Sequence, residues 1–389
     1  MRLFSLSQKK KQTLFKVLVS ACIFPLFSVA SASAQSGSRG AFIKPRQEGR
    51  FAVPVNSPVT TSTKVIGTLA GHEVMEIDAP ARQGNMGKIM LLDHQGFIWY
   101  LETREDMAVK VNPKTLEFTE YNLPRGSGPY SHSIDSKGVH WITAHGIEML
   151  LEFDPDKAEV ISHATPSFGF LIHISVHLVD DTVYFCQPGN NQIVSYRRDK
   201  GYREYPIPTP SAGPGRLDFD SKGNIWFPEL YADKLAKLDP KTGKFQEWDL
   251  PVKHGTPAFC RVDASDAVWV SLPMGDRILK FKDGNFSEYK IPTAGSLVST
   301  SVTDPEGYIW FTEGGWRGSA GGNKIARLDP KTGKVEELAI PTPNAQPLGI
   351  IIDKTGTMWF EQMNAGKIGR VKPLGKLEET TGSGKTSNK

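Results

Sequence analysis

A single motif recurs seven times along this chain: an apolar strand, a Gly-x-Ile-Trp-Phe-like turn and strand, an Asp-Pro-Lys-Thr-Gly turn, and a Glu-Tyr-x-Ile-Pro ending. Its anchoring aromatics are Trp99, Trp141, Tyr184, Trp226, Trp269, Trp310 and Trp359, spaced 41 to 43 residues apart except for 49 before the last. Such a period means that each unit buries its apolar face only against its neighbours, in a ring or a solenoid. In the fourth copy the strand signals fall at residues 216–220, 224–228, 234–239 and 245–250, each bounded by Gly, Pro or Asp. Four short antiparallel strands make a propeller blade, so the expected fold is all-β, a seven-bladed β-propeller. The Asp239-Pro240-Lys241-Thr242-Gly243 stretch suits a type I turn closed by a glycine at positive φ. WD40 units share the period but need Gly-His and Trp-Asp pairs that these units lack, and kelch units are longer.

The last copy stops after Lys367-Ile368-Gly369-Arg370-Val371 and lacks a fourth strand. Residues 72–80 read like residues 334–341 and precede the first full copy. They are expected to complete the seventh blade, closing the ring and removing an exposed edge.

Residues 1–34 combine Lys9, Lys10, Lys11 and Lys16 with an apolar run at 17–30 and the small-residue string Ala32-Ser33-Ala34. This pattern predicts a secretory signal peptide cleaved near Ala34 and a secreted or periplasmic protein. No later stretch approaches the roughly 20 apolar residues of a membrane span. The formal charge of +4 drops to −1 without the leader, 41 basic against 42 acidic residues, which leaves no basic footprint for nucleic acid or anionic lipid. Cys186 and Cys260 fall two blades apart, too far for a disulfide, and read as small buried residues. Residues 35–71 form an N-terminal extension whose polar start, 35–50, is expected to be loosely tied, as is the tail at 375–389. Between them lies one domain, residues 72–374, expected to work as a monomer.

The repeated aromatics should fill the wedges between blades, where a large ring can bury about 150–250 Å². Function is then sought where the copies differ. First strands start and second strands end at one face, so residues about eleven before and three or four after each anchor meet around one mouth of the channel. Six of the nine histidines fall between residues 132 and 177. His132, His145 and His173 are expected to meet at that mouth, with Tyr130 beside them, as general bases or ligands. The competing reading is that each is a separate polar residue bonded to backbone. Glu102, Glu229 and Glu313 all end second strands, and would form an acidic rim able to hold Mg²⁺ or Ca²⁺; equally, their recurrence within the unit suits bonding to neighbouring backbone. Arg216 is a candidate electrophile or substrate contact. An insertion in the sixth copy, residues 314–322, carries Trp316 and Arg317, which could cover a ligand by stacking and by binding an anionic group; a plain mobile loop is the alternative. No organic cofactor is expected, because no phosphate loop, dinucleotide fingerprint, Gly-x-Ser-x-Gly elbow or Cys-x-x-Cys pair occurs.

The strings Trp310-Phe311-Thr312-Glu313, Asn323-Lys324-Ile325-Ala326-Arg327 and Ile340-Pro341-Thr342-Pro343-Asn344-Ala345 resemble those of the streptogramin B lyase (virginiamycin B lyase) family, over residues 87–374. The resemblance implies a seven-bladed propeller with an axial site. It also implies a Mg²⁺-assisted elimination that opens the ester of a cyclic depsipeptide. Where the family carries a histidine in its sixth repeat, this chain has Ser299; where the family has Glu-Pro-His, the chain has Gln346-Pro347-Leu348. The last acidic ligand falls at Met363, with Glu361 reachable only by shifting the alignment. Two functions follow as expectations. One is an exported lyase or lactone/ester hydrolase acting on a small molecule or peptide, its site rebuilt on blades two to four. The other is a non-catalytic envelope propeller that binds a peptide, glycan or protein on the same face.

Overall fold

The computed structural model describes residues 49–80, 89–314 and 322–374. Seven antiparallel sheets make the seven expected blades, each running from an inner to an outer strand. Blade 2 is Pro129–Ile134, His140–Ala144, Met149–Asp154 and Glu159–Ala164, and blade 3 is Ile172–His177, Thr182–Gln187, Gln192–Arg197 and Gly201–Pro206. Blade 4 follows with Asp218–Phe219, Ile225–Glu229, Lys234–Asp239 and Lys244–Asp249. The only helix among the described residues is a 3-10 turn, Pro188–Asn190. None is long and apolar enough to cross a membrane.

Two repeated devices explain why the motif folds this way. Between first and second strands an Asp-turn receives the anchor: in every blade but the third the indole N–H of the Trp donates to the aspartate six residues before it, at 2.8–3.2 Å. A buried indole needs such an acceptor. The anchor is thus satisfied within its own blade and free to pack its flat face outward. Trp99 of blade 1 lies against Ile142, Leu151 and Phe153 of blade 2, and Trp359 of blade 7 against Ile98 and Tyr100 of blade 1. Between third and fourth strands, Gly243 and Gly333 take φ of +74° and +72°, closing the Asp-Pro-Lys-Thr-Gly turns as expected. Both cysteines are buried and free.

The ring closes through the early segment. The strand His72–Asp78, here β4, pairs antiparallel with Lys367–Pro373, with Ile77 opposite Ile368 and Val74 opposite Val371. Lys367 forms an ion pair with Asp78 at the seam.

The extension before it does more than the polar composition suggests. Its strands β1 (Gly49–Ala52), β2 (Val59–Thr60) and β3 (Thr63–Leu69) add a fifth, outermost strand to blades 2, 1 and 7 in turn. Phe51 and Val53 explain the attachment, because both join the apolar cluster of Trp99, Tyr121 and Phe153 at the seam of blades 1 and 2. Gly49 and Arg50, expected in a loose tail, are therefore sheet residues.

Candidate functional site

Inner strands start at one end of the axis, and there the structure gathers three of the four expected catalytic residues. Tyr130 follows the strand-start Pro129 of blade 2, His145 follows the second strand of that blade, and His173 lies at the start of blade 3. The Tyr130 ring sits 5.5 Å from His145 and 5.7 Å from His173, centroid to centroid. Phe170 stacks 5.0 Å from His145, and Phe259 of blade 5 lies 5.9 Å from His173. Two glycines allow the close approach. A Cβ on Gly146 would fall 2.4 Å from the Gly126 carbonyl, and one on Gly128, at φ +52°, 3.4 Å from His145 Nε2. The loop that carries Gly128 is gripped from blade 1, where Asp106 accepts from the N–H groups of Gly126 (2.6 Å) and Gly128 (2.7 Å). Burial pushes the Tyr130 phenol well above its usual range, so it stays protonated and serves as a donor.

His132 does not join this group. Two residues deeper on the same strand, it bonds through Nε2 to the Ile89 carbonyl at 3.0 Å and lies 5.7 Å from His140. Burial drags its pKa down to about 3, which keeps it neutral. Alternate residues of an inner strand sit at successive depths along the axis, and the contacts of His132, two residues deeper than Tyr130, are with Ile89 and His140 in place of the other two histidines. Arg216 is also displaced from the mouth. Its side chain lines an axial chamber of about 760 Å³, together with His132, Asp218 and Arg261, and none of Tyr130, His145 or His173 contributes to that wall.

Glu102, Glu229 and Glu313 do end second strands, but each is buried within its own blade. In blade 4 Glu229 stands beside a node in which Lys234 Nζ donates to Glu247 (3.0 Å) and Thr209 (2.8 Å). Glu313 stands beside the corresponding node of Lys324, Glu337 and Thr293 in blade 6. In blades 3 and 7 the position is held by Gln187 and Gln362, whose amides join hydrogen bonds with Gln192 and Glu76. The position is thus a structural contact between strands two, three and four. Burial, then the neighbouring Glu247 or Glu337, pushes Glu229 and Glu313 up to about 8; burial and then Glu120 push Glu102 up to about 7. Opposite Glu102 stands Met107, where Glu229 and Glu313 face Lys234 and Lys324.

These carboxylates do not fit a divalent cation. Among the described residues no group of three or more His, Cys, Asp or Glu side chains is arranged to hold a metal ion. The interior stretches 81–88 and 315–321 contain none of those four residue types. Trp316 and Arg317 lie outside the described residues.

At the positions where the resemblance implies a base and an acidic ligand, neither histidine nor carboxylate stands, and one flank of the mouth is apolar. Leu348 packs with Leu230, Ala258 and Phe259, while Ser299 Oγ donates to the Leu348 carbonyl at 3.1 Å. The mouth is therefore two-sided: His and Tyr from blades 2 and 3, aliphatic and aromatic groups across the axis. Sequence reading missed Phe170 and Phe259 because a lone apolar residue in an apolar repeat carries no signal.

The description of the virginiamycin B lyase family matches residues 59–278 and again 176–387, which together cover most of the chain. The chain belongs to the virginiamycin B lyase family. A virginiamycin B lyase from Nocardia farcinica is 24% identical over 170 residues, 44% of this chain and 56% of that protein. The match thus spans just over half of that relative. The selenomethionine-substituted virginiamycin B lyase of Staphylococcus aureus is similar in structure, with a TM-score of 0.70 and 24% identity over 77% of this chain and 99% of that one. A catalytically inactive form of the S. aureus enzyme, solved with quinupristin, gives a TM-score of 0.70 and 23% identity over the same shares. At such identity the structures share the propeller fold with this chain.

Proposed function

We propose that this chain is an exported lyase or lactone/ester hydrolase that opens an ester bond in a small molecule or cyclic peptide held over the mouth. The observation that carries this reading is the contact of Tyr130 with both His145 and His173 at the axis. A neutral histidine would take a proton from the carbon next to the ester, or from water, and Tyr130 would donate a hydrogen bond to the oxygen that gains charge. In the elimination branch a C–H bond and the C–O bond break together, a C=C bond forms, and the carboxylate leaves. No step is routed through a cation, since the carboxylates do not fit one. Phe170, Phe259 and Leu348 would hold the apolar part of the substrate.

The test is mass spectrometry of quinupristin and of simple lactones after incubation with the purified protein. Elimination opens the ring with no change in mass, and hydrolysis adds one water. Opening that survives replacement of both His145 and His173 by alanine would sink the proposal. The apolar patch at Leu348, where the family's base is implied, favours a second reading, a non-catalytic envelope propeller for a peptide or glycan. Saturable binding without bond cleavage would select it.

A further inference from the structure

The axial chamber has a chemistry of its own. It runs below the mouth to the face where inner strands end, reaching Asp263, Asp304, Pro305 and Lys354 in the turns there. Arg216 stands on its wall. The backbone of Arg216 is tied to blade 5 through its N–H, which donates to the Ala258 carbonyl at 3.0 Å. Its residue surface is only 8% exposed, and its guanidinium makes no hydrogen bond or ion pair with any described residue.

The other charges of the wall are accounted for. Asp263, Asp304 and Asp353 each accept an indole N–H and turn N–H groups. Asp218 accepts from the Val262 N–H at 2.9 Å and faces Arg261 at 3.7 Å. Lys354 is exposed at the rim. Around Arg216, burial and then Arg261 disfavour the cation, while Asp218, Cys260 and Glu361 favour it. Burial brings its pKa down to about 9, so it still carries its charge at neutral pH. An unpaired buried charge is costly, and a guanidinium is a planar fork that matches a carboxylate or phosphate edge. The chamber's volume of about 760 Å³ suits a small-molecule ligand, for which sites range over roughly 300–1,000 Å³.

We propose that this chamber is a second binding site, separate from the mouth, for a small organic anion whose carboxylate or phosphate docks on Arg216, with Arg261 beside it. The site does not depend on the chemistry assigned to the mouth. Its occupant would enter from the opposite face of the ring.

The experiment is isothermal titration calorimetry of the full chain with citrate and with inorganic phosphate as probes, against chloride at equal ionic strength. The expected result is saturable binding of at least one probe, one per chain, weakened at least tenfold in Arg216→Met. Citrate alone would identify a carboxylate site, and phosphate alone a phosphate site. Arg216→Met without ligand is expected to melt at or above the wild-type temperature, because a lone buried charge has been removed. No saturable binding of either probe, or binding that Arg216→Met leaves unchanged, overturns the proposal. Should that variant not fold, Arg216→Lys, which keeps the charge and loses the fork, is read instead: unchanged affinity again overturns it.

Discussion

The two ends of the axis are built from the same seven inner strands and yet present opposite chemistry. At the mouth, imidazole, phenol and phenyl rings meet: Tyr130, His145, His173, Phe170 and Phe259. In the chamber below, the guanidinium groups of Arg216 and Arg261 stand among hydroxyls and engaged aspartates. The difference teaches that depth along a strand, not membership of a blade, assigns a residue to a site. Tyr130 and His132 share a strand two residues apart and serve different surfaces.

The sharpest way to break this contrast is to disable one end and measure both. His173→Ala is expected to lower any ester-opening turnover by about 10²–10⁴-fold, the usual worth of a positioned acid or base. Its melting temperature should stay within a few degrees of wild type, by differential scanning calorimetry. Arg216→Met should cost at least tenfold in anion affinity by calorimetry. If either single change removed both properties, the two ends would be one site. Next in size is Asp106→Ala, which strips the acceptor from two backbone N–H groups of the loop under Tyr130. A loss on the order of 1–3 kcal/mol is expected, read by urea unfolding, together with a raised KM at the mouth.

The smallest effect concerns the carboxylates that belong to neither end. Glu229 has a folded pKa of about 8 against an ordinary value of 4.5. A raised pKa means the folded state holds the proton more tightly, so its contribution is full below about pH 4.5 and is lost as pH climbs through about 8. Glu229→Gln, the residue type that blades 3 and 7 use there, should therefore match wild type near pH 5 and melt about 2–4 °C higher at pH 9. A protein that loses bound calcium or magnesium on this change would instead restore the acidic rim.

Most of the fold was legible because the repeat announces itself: the anchor spacing gave the blade count, and the likeness of residues 72–80 to residues 334–341 gave the seam. The site was legible only in part. Counting from the anchors places His145 and His173 at the mouth and His132 two residues deeper, but it does not show which surface the His132 or Arg216 side chain serves. Glu229 and Glu313 looked like ligands because a sequence shows a carboxylate and not the Lys–Glu–Thr node that stands beside it. The outer strands β1 and β2 escaped notice because they are short and lie among polar residues, and only Phe51 and Val53 mark them.

The seam between β4 and residues 367–373 makes closure the late step of assembly. The Lys367–Asp78 pair links residues 289 positions apart, so a late strand of the ring must find an early one. Such long-range pairing is slow, since loop-closure entropy is spent before any contact repays it. Until then the hairpin of β3 and β4, residues 63–78, has no blade 7 edge to dock on, and in a crowded compartment the readiest substitute is the unfinished edge of another copy. Any chaperone that meets this chain has reason to keep it apart from its siblings until the ring is sealed.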